Sequence, residues 1–87
     1  FKAAKFWRTR TGEEIDLILE IWGEKTIAIE IKASSTPKST DFKNIEKYRV
    51  LAKDKFAAGI VFYLGERMLS YQNHPNLAWF PLDLLWS

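Results

Sequence analysis

Eighty-seven residues suffice for one domain and exclude a multidomain assembly. A hydrophobic fraction of 47%, with four Trp, six Phe and three Tyr, excludes a disordered chain. The absence of cysteine excludes a disulfide framework and a thiolate metal site, and a net charge of +2 permits nucleic-acid binding without announcing it. A chain of this length hides about 60–65% of the surface its unfolded form exposes, so the expected core is modest. No apolar run approaches the roughly 20 residues that span a bilayer, and no signal peptide is visible. The expectation is a cytoplasmic protein with no membrane partner. The chain starts at Phe1 rather than Met, so we expect a piece of a longer protein.

Residues 3–10 predict a first strand, with aromatics and Thr among cations and no acid. "TGEE" then turns the chain. Residues 14–22 alternate: Ile15, Leu17, Leu19 and Ile21 on one face, Glu14, Asp16, Ile18, Glu20 and Trp22 on the other. Residues 26–33 alternate too, with Ile27, Ile29 and Ile31 against Ala28, Glu30 and Lys32. Residues opposite one another in an antiparallel pair share a face. Bringing the two Ile/Leu rows together pairs Trp22 with Thr26 and leaves Gly23-Glu24-Lys25 as a three-residue loop. In that register Asp16 faces Lys32, Ile18 faces Glu30, and Asp16 and Glu30 are diagonal neighbours.

Residues 34–40 are a polar loop, and Ser39, Thr40 or Asp41 can cap the helix that follows. Phe42, Ile45, Tyr48 or Arg49, and Ala52 keep helical spacing through about residue 54. "AAGIVFYL" at 57–64 predicts a strand buried on both faces, parallel to 26–33 in a β-α-β crossover. A hairpin between "RMLSY" and "LAWFPL" closes the chain. The fold class is therefore α/β: a mixed sheet in which an antiparallel hairpin leads into a β-α-β crossover.

Asp16, Glu30 and Lys32 interrupt the most strand-like stretch of the chain, at the open end of its hairpin. Glu30 and Lys32 also end a strand that feeds a parallel crossover, where open α/β sheets place ligands. Diagonal positions across a strand pair lie about 7–8 Å apart at Cα and closer at the side-chain tips. Two carboxylates there can share one Mg²⁺, and the Ile31 carbonyl can add a third oxygen. Lys32 can then orient a water or offset charge developing on a phosphate. The plainer reading is a wet strand face with an Asp16–Lys32 ion pair worth a few tenths of a kcal/mol. On pattern alone the ion pair is the better reading. Against it, acids on a partly covered face need a cation or a metal as partner. His74 reads as an exposed loop residue. The four Trp read as core, edge or interface rather than as base-stacking platforms.

An Asp, a hairpin and then Glu-x-Lys, here Asp16 and Glu30-Ile31-Lys32, resembles the core motif of the PD-(D/E)xK nuclease-like superfamily. "FWRTRTGEEIDLIL", "AIEIKAS" and the closing "AWFPLDLLW" resemble the C-terminal domain of unknown function attached to many bacterial and archaeal AAA-type ATPases. The match covers nearly all 87 residues; its specific part is Arg8, Gly12, Glu14, Asp16, Glu30, Lys32 and Ser34. The resemblance implies a restriction-endonuclease-like sheet filling residues 1–87 as a single domain, with an ATPase domain earlier in the same chain. It implies that Asp16 and Glu30 bind Mg²⁺ or Mn²⁺, and that Lys32 assists phosphodiester hydrolysis. Glu14 and Arg8 match family positions of accessory character, a further metal contact or a salt bridge between the two. The implied partner is nucleic acid, DNA first. The chain departs from many superfamily nucleases in lacking an initial helix with a further acid, and several branches keep the fold without cleavage. The alternative is therefore an inactive module for nucleic-acid binding or subunit interaction. An exposed first strand can also pair with a second copy.

Overall fold

The computed structural model describes the backbone of residues 3–8, together with residues 12 and 14–85. Six strands form one mixed sheet: β1 (Ala3–Arg8), β2 (Glu14–Glu20), β3 (Thr26–Ile31), β4 (Phe56–Tyr63), β5 (Leu69–Ser70) and β6 (Leu77–Pro81). Their order is β1-β2-β3-β4-β6-β5. β1, β2 and β3 are antiparallel neighbours, β3/β4 and β4/β6 are parallel, and β5 returns antiparallel to β6. One α-helix, α1 (Lys43–Ala52), lies in the crossover from β3 to β4. The expected hairpin, parallel crossover and closing hairpin are thus all present. No helix among the described residues is long and apolar enough to cross a membrane.

The core lies between α1 and one face of the sheet. Ile15, Ile18, Ala28, Val61, Leu77 and Trp79 meet Phe42 and Ile45, all buried. Phe42 stacks on Tyr71, with centroids 4.5 Å apart, and meets Trp79 edge-on at 4.9 Å. Such aromatic pairs stabilise beyond their buried area. Gly59 lets α1 approach β4. A Cβ there would sit 2.7 Å from Leu77 Cδ2 and closer still to Ile45 Cγ2. We expect Gly59→Ala to destabilise the domain by about 1–3 kcal/mol through overpacking, read as a lowered thermal midpoint.

Two expectations about β2 are corrected. Glu20 pairs with Thr26, so the hairpin loop is five residues, Ile21–Lys25, rather than three. Gly23 and Glu24 take positive φ (75° and 61°) within it, and Trp22 projects into solvent. The register differs by two from the expected one. A slip of two keeps every side chain on its face, so hydrophobic patterning could not discriminate between the registers. Second, β2 does not alternate cleanly. Lys5 pairs with Ile18 but Trp7 with Ile15, so three steps on β2 match two on β1. This is a β-bulge at Asp16–Leu17, and it brings Ile15 and Ile18 onto the same buried face.

β4 is also covered differently from expectation. Gly59, Val61 and Tyr63 are buried under α1, whereas Ile60 and Phe62 on the other face are half-buried. Leu17, Leu19, Ile27, Ile29 and Phe80 share that outer face, also half-buried, and Ile31 is half exposed. The two Ile/Leu rows do meet on one face, but it is this outer face rather than the one beneath the helix.

Candidate active site

The bulge and the hairpin register together build the site. The last pair of the β2–β3 ladder is Leu17–Ile29, two steps from the expected register. Asp16 therefore does not fall opposite Lys32, nor Ile18 opposite Glu30, as the expected register had them. The regular ladder ends at that step. In its place the Asp16 carboxylate accepts a hydrogen bond of 2.8 Å from the Ile31 N–H through Oδ2. The side chain supplies the acceptor that the bulged backbone no longer offers, as bulges beside functional sites often re-aim a residue.

Glu30 follows Thr26 and Ala28 on the face of β3 beneath the helix and is only 5% exposed. Its carboxyl is pushed up to about 7. Burial is the main cause; Lys32 opposes the rise, the carboxylates of Asp16 and Asp41 add to it, and a hydrogen bond from Asn44 opposes it. Electrostatically, then, Asp16, Glu30 and Lys32 share one environment at the open end of β2 and β3. Among the described residues no ion pair joins Lys32 to Asp16, so the simple cross-strand pair is not what holds them. The Lys32 N–H donates to the Phe62 carbonyl at 2.8 Å, which carries the β3–β4 pairing past Ile31 and fixes the lysine backbone.

Two residues that sequence reasoning did not assign to the site reach it from the helical side. Asp41, expected only as a cap, closes a 3₁₀ turn at Ser39–Phe42: its Oδ2 accepts the Lys38 N–H at 3.0 Å. The same oxygen accepts the Trp79 indole N–H at 3.0 Å. Asn44, in the first turn of α1, donates from Nδ2 to the Glu14 carbonyl at 3.0 Å. Neither assignment had a sequence signal, because both depend on where the crossover lays its 3₁₀ turn against β6 and α1 against β2. Glu14 begins β2 with its side chain exposed, and Arg8 is its backbone partner on β1. The expected Arg8–Glu14 salt bridge involves a side chain outside the described residues. His74 departs from its expected exposure: it is half-buried, and its Nδ1 accepts the Asn76 N–H at 3.2 Å within the closing turn.

The donor chemistry suits a hard cation. Asp16, Glu30 and the Ile31 carbonyl offer oxygen alone, the set that Mg²⁺ and Mn²⁺ prefer over nitrogen and sulfur. No group of three or more His, Cys, Asp or Glu side chains among the described residues is arranged to hold a metal ion. A cation here would therefore complete its shell with backbone oxygen and water, as Mg²⁺ commonly does.

Residues 2–84 match the model of a family described as a domain of unknown function, DUF4143. Neither the curated proteins nor the solved structures contain a match to the chain.

Proposed function

Because the chain belongs to the DUF4143 family, whose description names no activity, we propose its function from the site itself: a metal-dependent nuclease domain of the PD-(D/E)xK type. In this reading it hydrolyses phosphodiesters of nucleic acid, DNA first, and is carried C-terminal to an AAA-type ATPase domain of the same chain. The restriction-endonuclease-like fold is part of the proposal. An antiparallel hairpin leading into a β-α-β crossover supports it.

One observation carries the reading. Glu30 is a carboxyl group buried at the end of β3, within the electrostatic reach of a second carboxylate, Asp16, and of a lysine two residues on. Burying an acid beside another acid is costly, and such arrangements concentrate at functional sites. Asp16 and Glu30 would hold Mg²⁺ or Mn²⁺, with the Ile31 carbonyl beside them. When bound, the metal would polarise the phosphate and lower the pKa of a water. The Lys32 ammonium would face the same phosphate. It would offset the charge that develops as the water oxygen bonds to phosphorus and the leaving oxygen departs. Burial of Glu30 strengthens the attraction between its own carboxylate and a bound cation.

The second reading is a binding or subunit-pairing module without cleavage. The half-buried apolar face formed by Leu17, Leu19, Ile27, Ile29, Ile60, Phe62 and Phe80 favours it, since such faces mark interaction surfaces. Labelled single- and double-stranded DNA and RNA oligonucleotides, incubated with the chain in Mg²⁺ and then Mn²⁺, separate the two. The nuclease reading expects shortened DNA products that EDTA prevents. Binding of the oligonucleotides without any product in either metal would favour the second reading.

A further inference from the structure

The end of the sheet opposite Asp16 and Glu30 holds a cavity of about 300 Å³ lined by Glu20, Glu24, Thr26, Tyr48, Leu51 and Lys55. Thr26 and Ile31 bound β3, so about 17 Å of strand separates the two places. Glu20 pairs with Thr26 and so shares its face, the one that α1 covers. Glu24 stands at positive φ in the hairpin loop. The Lys25 ammonium, in the same loop, donates to the Asp54 carbonyl in the turn after α1, which ties the two walls together.

The hydrogen bonds decide what the cavity can hold. The Thr26 hydroxyl donates at 3.2 Å to the Lys55 carbonyl, which only accepts, so its single proton is spent there. The Tyr48 hydroxyl, 2.9 Å from the Thr26 oxygen, must then be the donor of that pair. With both protons committed, any further partner of either oxygen has to donate. The carboxylates of Glu20 and Glu24 likewise only accept. Ala52, which also lines the cavity, is the last residue of α1, where the helix dipole is negative. Lys55 is the one cation among the described lining residues. Its side chain is exposed, and its carbonyl rather than its ammonium meets Thr26. Leu51, 65% exposed, offers an apolar wall. The volume stands at the lower end of ligand clefts, which run from about 300 to 1,000 Å³, and so suits a small ligand.

We propose that this cavity binds a small organic cation, a guanidinium or ammonium group on a short alkyl stem, whose head donates to Glu20, Glu24 and the Tyr48 oxygen while the stem lies on Leu51. It uses none of the residues assigned to hydrolysis, so it stands or falls apart from that activity.

The test follows the amide and methyl NMR signals of the intact chain as n-butylguanidinium, n-butylammonium, n-butanoate and n-butanol are titrated in turn. Either cation should move the signals of Glu24, Thr26 and Leu51 saturably, at millimolar concentration as suits so small a ligand. Butanoate and butanol carry the same stem and should bind about tenfold more weakly or not at all. Glu24→Gln removes one carboxylate, and Leu51→Lys sets a cation on the apolar wall. Both positions are exposed, so the fold should persist. Each variant should weaken butylguanidinium binding about fivefold or more. Equal binding of butanoate or butanol overturns the proposal, as does cation affinity within twofold of the parent in both variants. So does a parent chain in which no signal at the cavity moves, including one in which the cations shift only residues around Asp16 and Glu30.

Discussion

At pH 8 the Glu30→Gln variant should unfold at a higher temperature than the parent chain, although it removes the residue on which the proposed activity depends. Glu30 titrates near 7 in the folded protein and near 4.5 ordinarily. Between those values the folded state holds a proton that the unfolded state has released. Stability therefore falls as pH rises through this window, and above about 7 the loss is complete. A displacement of this size corresponds to about 3 kcal/mol, and for a domain of this length roughly 10–20 °C in thermal midpoint. Gln keeps the shape and abolishes the charge, so most of that penalty should vanish at pH 8. Near pH 4 both proteins carry a neutral group and their midpoints should converge. Thermal unfolding of the pair across pH 4–8 is the check, because the difference between them isolates Glu30 from other titrating groups. Parallel curves would mean that Glu30 is not buried as an acid. A site that weakens the fold that carries it is the expected pattern where function needs a strained or desolvated charge.

The second large effect separates binding from chemistry. Lys32→Ala should reduce nucleic-acid cleavage by about 10²–10³-fold, the usual loss on removing one group that stabilises transition-state charge. Mn²⁺ affinity should change far less than cleavage, because an ammonium does not ligate a cation. The strand should survive, since the Lys32 backbone N–H and not its side chain joins Phe62. Asp16→Asn should lose both metal affinity and cleavage. Calorimetry with Mn²⁺ beside a cleavage assay distinguishes the two patterns. If Lys32→Ala cleaves at the parent rate, the lysine has no part in the reaction.

Much of the architecture is legible in the chain because it is written in short-range patterns. Ile27-Ala28-Ile29 and the run at 57–64 predict strands, and the helical spacing between them forces the parallel crossover that the fold contains. The errors have specific causes. The hairpin register is invisible to alternation when two candidates differ by two residues, and the pairing of Glu20 with Thr26 follows instead from loop conformation at Gly23 and Glu24. The bulge at Asp16–Leu17 depends on how β1 pairs with β2, so periodicity places Ile15 on the wrong face. Strand 57–64 is apolar throughout, yet α1 covers one face only, because an apolar run states what it avoids and not what covers it.

The same division applies to the site. Asp16, Glu30 and Lys32 stand out in the sequence because they are polar residues in an apolar stretch, and the fold brings them to one end of the sheet. What could not be read was the depth of Glu30, which arises from the helix laid over β3. Asp41 and Asn44 were unreadable for the same reason. Asp41 reaches Trp79 across 38 positions of chain, and Asn44 reaches Glu14 across 30. Contacts of that range belong to tertiary structure, and no local pattern encodes them.

If Asp16, Glu30 and Lys32 form a metal-dependent hydrolytic site, as proposed, the chain itself should break a phosphodiester backbone. Supercoiled plasmid tests it most directly, because a single broken phosphodiester converts the substrate to a visibly different form. The parent chain, Asp16→Asn and Lys32→Ala are incubated side by side in Mg²⁺, in Mn²⁺ and in EDTA. We expect nicking by the parent in at least one metal, none in EDTA, and none above background by either variant. Nicking that persists in both variants, or a folded parent chain that leaves the plasmid intact in both metals, would contradict it.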